Sequence, residues 1–508
     1  QPPALQPPAP APQISAPRRQ SPADGGQGAS IVVQHFEFSG NTVYGDEQLQ
    51  PLVAGYVGRP ITLGQLYEAA DKVAEFYNRN GYALASVNVP AQKVKDGSVR
   101  LEVLEGRIGK IGFEGNQRYH QDILGGYVSH THSGEVYRNG PLDHDLQQLN
   151  ALPGLAARAV IKPGADFGSS DVTVKVQEKP AEGYVVLDNY GRKDSGQYRA
   201  SASVTLNNPT GISDQLQILG THSGDNRLNY GYFDYNVPLN FYGTRFDANY
   251  GHAYFKTAPF DVSGKNNNLQ LSVIQPFLRS ATDTVVGQAG FIHTDANADL
   301  VGFSLSNTNV NLLRLNLNHA HIWTGGAVTQ YVVELHTNFG SSGDFKPTLS
   351  QLTSNRELMR AELNVQHLQP LPAHLQLLAQ FDGVWSPDPL PDTEQMSIGG
   401  PTSVRGFPSS EARGSNGYFG QLTLRRPFAI GRFSLVPRVF ADSGVVRRLN
   451  YIGQGPDGDD SLTSAGLGFD AIYSTIDLKV DWSYPLDSTP VSDGRDDGRV
   501  YASLTAGF

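Results

Sequence analysis

Two short segments hold the residues best equipped for chemistry. Val404-Arg405-Gly406-Phe407 sits in a long connection rich in Gly, Pro and Ser, and Phe440-Ala441-Asp442-Ser443-Gly444 ends a run of alternating residues. An arginine and an aspartate alone make or break no covalent bond. They offer a two-pronged, charge-assisted hydrogen bond between guanidinium and carboxylate, which fixes one piece of chain against another. If that pair is buried, losing either partner costs about 3–5 kcal/mol because the other charge is stranded. The intact pair adds little net stability, so its expected role is positional.

Other chemistry is thinner. His130 and His132, and likewise His319 and His321, are two apart, so on strands each pair would share a face. The sequence places no carboxylate or third histidine to complete a metal site, and no metal or other cofactor is expected. Asp457, Asp459 and Asp460, and then Asp493, Asp496 and Asp497, lack the spacing of an EF-hand and read as acids of solvated loops. There is no Gly-x-Ser-x-Gly elbow and no phosphate-binding loop, so no enzyme is expected.

Composition narrows the class further. The 508 residues include no Cys and only two Met, which removes disulfides, thiolate metal sites and thiol nucleophiles. A net charge of −10 argues against a nucleic-acid partner, which needs a basic footprint. No apolar run approaches the ~20 residues of a membrane-spanning helix. No signal peptide is visible; residue 1 is consistent with a mature N-terminus, which intact-mass analysis of the native protein would test.

The elements that position these residues fall into three regions. Residues 1–30 are rich in Pro, Ala, Gln and Gly and read as a flexible, extended lead-in. Residues 31–106 run strand, helix, helix, strand, strand: a strand over 31–38, a short helix over 46–56, a second helix after Thr62-Leu63-Gly64-Gln65, and strands over 83–89 and 98–104. Thr62 and Gln65 have the spacing of a capping box, and Leu66, Ala70, Val73 and Tyr77 recur at helical period. The same order repeats over 107–180, with strands over 108–113, 155–161 and 171–178 and helices over 121–130 and 142–151. Ser39-Gly40-Asn41 in the first repeat is echoed by Glu114-Gly115-Asn116 in the second.

From 181 to 508 the pattern becomes strict alternation. Leu313, Leu315 and Leu317 alternate with Arg314, Asn316 and Asn318; Ile476, Leu478, Val480 and Trp482 alternate with Asp477, Lys479 and Asp481. About sixteen such segments of roughly ten residues occur, an even number that suits an outer-membrane barrel. At ~3.3 Å per residue and ~45° tilt each covers about 23 Å, near the ~25 Å apolar band of such a barrel. Connections over 207–212, 240–243, 428–431 and 473–475 are short. Those over 258–267, 340–354, 387–415 and 445–461 are long, the asymmetry of a transmembrane barrel with long outer loops. The fold class is therefore a transmembrane antiparallel β-barrel of about sixteen strands preceded by two small α+β domains. On the strand from Phe433, the set Phe433, Leu435, Pro437, Val439 and Ala441 faces lipid. Ser434, Val436, Arg438, Phe440 and Asp442 face the lumen.

At these residues the chain resembles a TpsB transporter of two-partner secretion, a haemolysin and adhesin secretion family in the superfamily of the BamA insertase. The resemblance runs from about residue 31 to the end. It rests on the two opening segments, on Leu149-Asn150-Ala151-Leu152-Pro153-Gly154 with Lys162-Pro163-Gly164, on Leu187-Asp188-Asn189-Tyr190-Gly191, on Asn208-Pro209-Thr210-Gly211 and on the terminal Phe508. It implies that 31–106 and 107–180 are two periplasmic POTRA (polypeptide-transport-associated) domains and that 181–508 is the outer-membrane barrel. It further implies that a loop over 386–415 tucks into the lumen, where Arg405, flanked by Val404, Gly406 and Phe407, contacts Asp442 on a wall that also presents Phe440 and Gly444. The implied activity is export, without ATP, of one large β-helical secreted partner (a TpsA-like exoprotein). Phe508 would be read by the barrel-assembly machinery, and the lipid bilayer is the surrounding partner. Members often begin with a helix that plugs the barrel; the prolines of 1–30 argue against one here. The alternative function is a BamA-type assembly or insertion factor, whose loss would lower many outer-membrane proteins. A passive porin would leave both repeats unexplained.

Overall fold

The computed structural model describes residues 30–338, 358–449, 458–487, 492, 494 and 498–508. The lead-in, the connection expected over 340–354, and Asp457, Asp493, Asp496 and Asp497 lie outside the described residues. The chain separates into two compact units, divided between Glu178 and Lys179.

In the N-terminal unit both repeats build a three-stranded sheet of one topology. His35–Ser39, Ser98–Leu104 and Ser86–Asn88 lie side by side, the first pair parallel and the second antiparallel. Arg107–Glu114, Ser169–Glu178 and Leu155–Pro163 repeat that order. The helix Leu63–Arg79 begins where its capping box closes: Gln65 N–H donates to Thr62 Oγ1 (3.3 Å) and Thr62 N–H to Gln65 Oε1 (3.0 Å). It buries Leu66, Ala70, Val73 and Tyr77 against Phe36, Val99 and Leu101. Other elements are shorter than expected. The helix from Gln121 stops at Gly126, because Gly125-Gly126 favours helix poorly. The helix Asp46–Val53 passes into a tighter turn over Ala54–Tyr56. The strand expected over 83–89 is only Ser86–Asn88, since Ala85 N–H closes a turn onto Tyr82 O (3.0 Å).

The repeat extends to individual atoms. Gly40 (φ 80°) and Gly115 (φ 93°) take the left-handed conformation, and a Cβ there would come within 2.3 Å of Val103 O and 2.4 Å of Val176 O respectively. Next to each glycine an asparagine folds the turn: Asn41 Nδ2 donates to Tyr44 O (3.0 Å), Asn116 Nδ2 to Tyr119 O (2.9 Å). A carboxylate just past or at the end of each central strand then collects the free N–H groups. Glu105 accepts from Thr42 N (2.6 Å) and Val43 N (2.7 Å); Glu178 accepts from Gln117 N (3.0 Å), Arg118 N (2.9 Å) and Tyr119 N (3.1 Å). Glu105 also accepts from Tyr77 OH (3.0 Å), and burial together with that carboxylate raises the phenol's pKa well above its usual value.

The second unit is a closed antiparallel barrel, sealed where Ser503 to Gly507 pair with Asp188 to Tyr184. Asn416–Arg425 and Phe428–Ile430 both pair with Phe433–Arg448, so they are two pieces of one strand and the barrel has sixteen. Parity along Phe433–Arg448 follows the expected faces: Val439 is 55% exposed and Asp442 2%. Strand lengths do not follow expectation. Val262–Arg279, Asp283–Leu300 and Phe303–Ile322 span 18, 18 and 20 residues. The connection expected over 258–267 is therefore mostly strand, and Phe428–Ile430 is strand as well. Around 445–461 the strands run on to Arg448 and resume at Gly458. Alternation reports lipid contact only. Beyond the apolar band both faces meet water, and the backbone ladder continues without a hydrophobic period.

Candidate functional site

The connection over 386–415 turns back into the barrel. Met396–Ile398 and Ala412–Gly414 pair as a small hairpin. Gly399 (φ 101°) and Gly400 (φ 100°) fold its tip, and a Cβ on Gly399 would lie 2.4 Å from Pro408 O. Leu390, Met396, Ile398, Val404 and Phe407 are buried in one apolar cluster. Their partners are lumen-facing wall residues, among them Ile292, Val310, Leu312, Val384, Phe419, Val446 and Leu462. Desolvating these side chains is the main drive to hold the loop inside.

The tip aims Arg405 at the wall. Its Nε donates to Asp442 Oδ2 (2.7 Å), its Nη2 to Asp442 Oδ1 (2.6 Å), and its backbone N–H to Oδ2 (3.1 Å). Nη2 also reaches Thr423 Oγ1 (3.2 Å), and the guanidinium lies 3.4 Å over the Phe440 ring. Thr423 and Phe440 are register partners, and Phe440 and Asp442 are two apart on one face, so the ladder sets all three contacts. The neighbours of Arg405 are held too. Ser483 Oγ donates to Arg405 O (2.5 Å), Tyr501 OH to Phe407 O (2.5 Å) and Gln421 Nε2 to Ser403 O (2.5 Å). A Cβ at Gly406 would meet Ser464 Cβ at 2.6 Å, and one at Gly444 would meet Phe419 Cβ at 2.9 Å and Ile398 Cγ2 at 3.4 Å. Both glycines let the loop and wall approach. From the first outer connection, Arg192 Nη1 donates to Ser409 O and Ser410 O (both 3.1 Å), and Ser409 Oγ donates to Tyr190 O (2.7 Å).

A second anchorage was not foreseen from the sequence. Glu394, on the same loop, meets His336 Nδ1 at 2.9 Å, and His336 Nε2 lies 2.9 Å from Glu334 Oε1. Arg314 pairs with Glu334, which Arg360 approaches to 3.9 Å. Parity would have placed Glu334 and His336 in the lumen, alternating with exposed Val333 and Leu335. Nothing in the sequence pointed Glu394 at them. One face-step from Phe440, Arg438 bridges Asp470 (2.6 Å) and Asp481 (2.7 Å).

The remaining motifs lie elsewhere. Asn150 joins its helix to the next strand through Ala157 N and O (2.8 and 3.0 Å), and Asn208 Oδ1 caps its turn by accepting from Ser213 N (2.7 Å). Phe508 exchanges backbone hydrogen bonds with Gly183 at the barrel seam (2.9 and 3.1 Å). Asp459 and Asp460 are strand residues facing Arg447 (3.9 Å) and Arg448 (3.3 Å). The histidine pairs need correction. His130 and His132 are not on a strand; His130 meets Asp145 (3.0 Å), and its ring lies tilted against that of His144 (4.1 Å, 54°). His319 and His321 do share a strand face, and Asp283 supplies the third group that the sequence did not place.

A profile of the haemolysin secretion/activation protein family ShlB/FhaC/HecB matches residues 168–471, and the ShlB-type POTRA domain matches 31–106. Among relatives, the heme/hemopexin transporter protein HuxB of Haemophilus influenzae (strain 86-028NP) is 24% identical over 91% of this chain and 84% of its own length. The hemolysin transporter protein ShlB of Serratia marcescens is 28% identical over 77% and 72%. Among solved structures, CdiB from Escherichia coli superposes with a TM-score of 0.72 at 22% identity, covering 96% of this chain and 93% of that one. That likeness concerns the fold.

Proposed function

The chain belongs to the ShlB/FhaC/HecB family of haemolysin secretion/activation proteins, and from that premise we propose that its inward loop is the gate through which a secreted partner must pass. The protein is an outer-membrane transporter of two-partner secretion with its POTRA region in the periplasm. Its client is a secreted protein; the finer reading is a large β-helical exoprotein, met in extended form by the POTRA sheets through strand addition. Phe508 serves as the C-terminal signal for the barrel-assembly machinery, and lipid surrounds the wall. An assembly factor of the BamA type is the weaker reading, because both family matches are to the ShlB type.

One observation carries the gate: the tip of the loop bonds to side chains of several wall strands from Gln421 round to Tyr501, with Arg405 buried among them. A polypeptide entering the lumen has to displace those contacts or pass beside them. Because the chain has no cysteine, Ser403→Cys with Gln421→Cys can be joined by a short bismaleimide without background. Export should stop in the cross-linked form and return in the same variant left unlinked. Undiminished export through the cross-linked pore would rule out loop movement.

A further inference from the structure

We propose that Asp283, His319 and His321 form a binding site for a divalent transition cation, of which Zn²⁺ is the natural example, on the outside of the barrel at its turn-side end. His319 and His321 are two apart on Phe303–Ile322, with the parity of Leu315 and Leu317, which are both 46% exposed. Asp283 is the register partner of His321, and Val285 that of His319. Three potential ligands thus project from one face of two hydrogen-bonded strands, held by the ladder rather than by a loop.

Their donor atoms converge. Asp283 Oδ1 lies 3.0 Å from His319 Nε2 and 2.7 Å from His321 Nδ1, and all three donors fall within 4.8 Å of one another. Zinc bonds of ~2.0–2.2 Å in tetrahedral array separate neighbouring ligands by about 3.3 Å. The two carboxylate–imidazole edges, at 3.0 and 2.7 Å, therefore need to lengthen by about 0.3 and 0.6 Å to admit the ion. The surroundings are those of a supported site. Thr282 Oγ1 donates to the other carboxylate oxygen of Asp283 (2.8 Å), fixing its orientation. The His319 ring stacks near Tyr331 (6.1 Å, 25°), and His321 meets the edge of Trp323 (4.5 Å, 81°). Two imidazoles and one carboxylate suit a borderline cation and leave a coordination position for water. Trp323 and Tyr331 are exposed at the turn-side end and are of the aromatic type that forms the girdle of such barrels at the membrane–water interface, where the periplasm supplies ions.

The second such cluster, His130, His144 and Asp145, is the poorer candidate. Its carboxylate already accepts from the backbone N–H of Ser129 (3.2 Å) and His130 (3.1 Å), which a cation would have to displace. Bound at Asp283, the ion would tie together the ends of two neighbouring strands and raise the melting temperature of the barrel.

The test titrates the untagged full chain in detergent with Co²⁺, whose visible absorption reports bound geometry, and competes it with Zn²⁺. One bound equivalent should disappear in the double variant His319→Gln, His321→Gln and persist in His144→Gln. Thr282→Ala should weaken it by about tenfold to a hundredfold. Retention of that equivalent by the double variant, or its loss in His144→Gln alone, overturns the assignment. If the double variant does not fold, as judged by heat-modifiability on gels, unchanged Co²⁺ affinity in Thr282→Ala overturns it instead.

Discussion

The two anchorages of the lumenal loop differ in how many partners share the charge. At Arg405 one residue meets one carboxylate through three hydrogen bonds, two from the guanidinium and one from the backbone N–H, with Thr423 and Phe440 completing the shell. At Glu394 the contact is a single imidazole, which itself faces Glu334, in turn flanked by Arg314 and Arg360. Removing a member of the first anchorage strands its partner in a buried site. Removing a member of the second lets neighbouring charges re-pair. The first anchorage should therefore behave as a two-part lock and the second as a graded brace.

The sharpest way to break that contrast is Asp442→Ala. It leaves Arg405 without its counter-ion, weakens docking of the loop by about 3–5 kcal/mol, and should raise planar-bilayer conductance while abolishing export from a folded, inserted barrel. Exchanging the charges, Arg405→Asp with Asp442→Arg, should restore part of the activity. Conductance and export like those of the unaltered protein in Asp442→Ala would remove the lock from the account.

Arg405→Lys keeps the charge but loses the fork and the flat contact with Phe440, so a smaller loss of about 1.5–3 kcal/mol is expected. Conductance should fall between the unaltered protein and Asp442→Ala; equality with either extreme would mean that geometry or charge alone matters.

At the other anchorage, Glu394→Gln retains hydrogen-bonding capacity toward His336 while Glu334 remains beside the ring. A loss of about 1 kcal/mol is expected, visible as more frequent brief openings in single-channel records, with export close to normal. Export lost as fully as in Asp442→Ala would show the brace to be a second lock. Thr423→Val removes one hydrogen bond from Arg405, which keeps those to Asp442, and should cost about 0.5 kcal/mol, the low end for one hydrogen bond; this is the smallest effect, detectable only by conductance.

Much of this arrangement was legible in residue order. Period-two alternation placed Asp442 and Val439 on opposite faces, because lipid and lumen demand different side chains at every second position. The Thr62–Gln65 box and the paired Gly40 and Gly115 turns are local features, readable from a few residues. Other parts left no such trace. The lengths of Phe303–Ile322 and its neighbours depend on ladder bonds that need no hydrophobic period. The apolar residues Leu390, Met396, Ile398, Val404 and Phe407 follow no repeat, because irregular backbone has none, so their burial in the lumen with Leu312 and Val310 was not visible. Polar lumen faces were the expectation; where these loop residues dock, the wall also presents apolar side chains, since there it contacts protein rather than water.

The sequence by itself determined the class of molecule: two like α+β repeats, an alternating barrel, and an arginine and an aspartate suited to one another. Only the tertiary structure decided which distant residues meet. Glu394 and His336 are joined through a loop's path, and Asp283 faces His321 through strand register. Both are consequences of chain closure over tens of residues. Local chemistry can be read one residue after another; a contact between strands depends on register, and register is a property of the folded sheet.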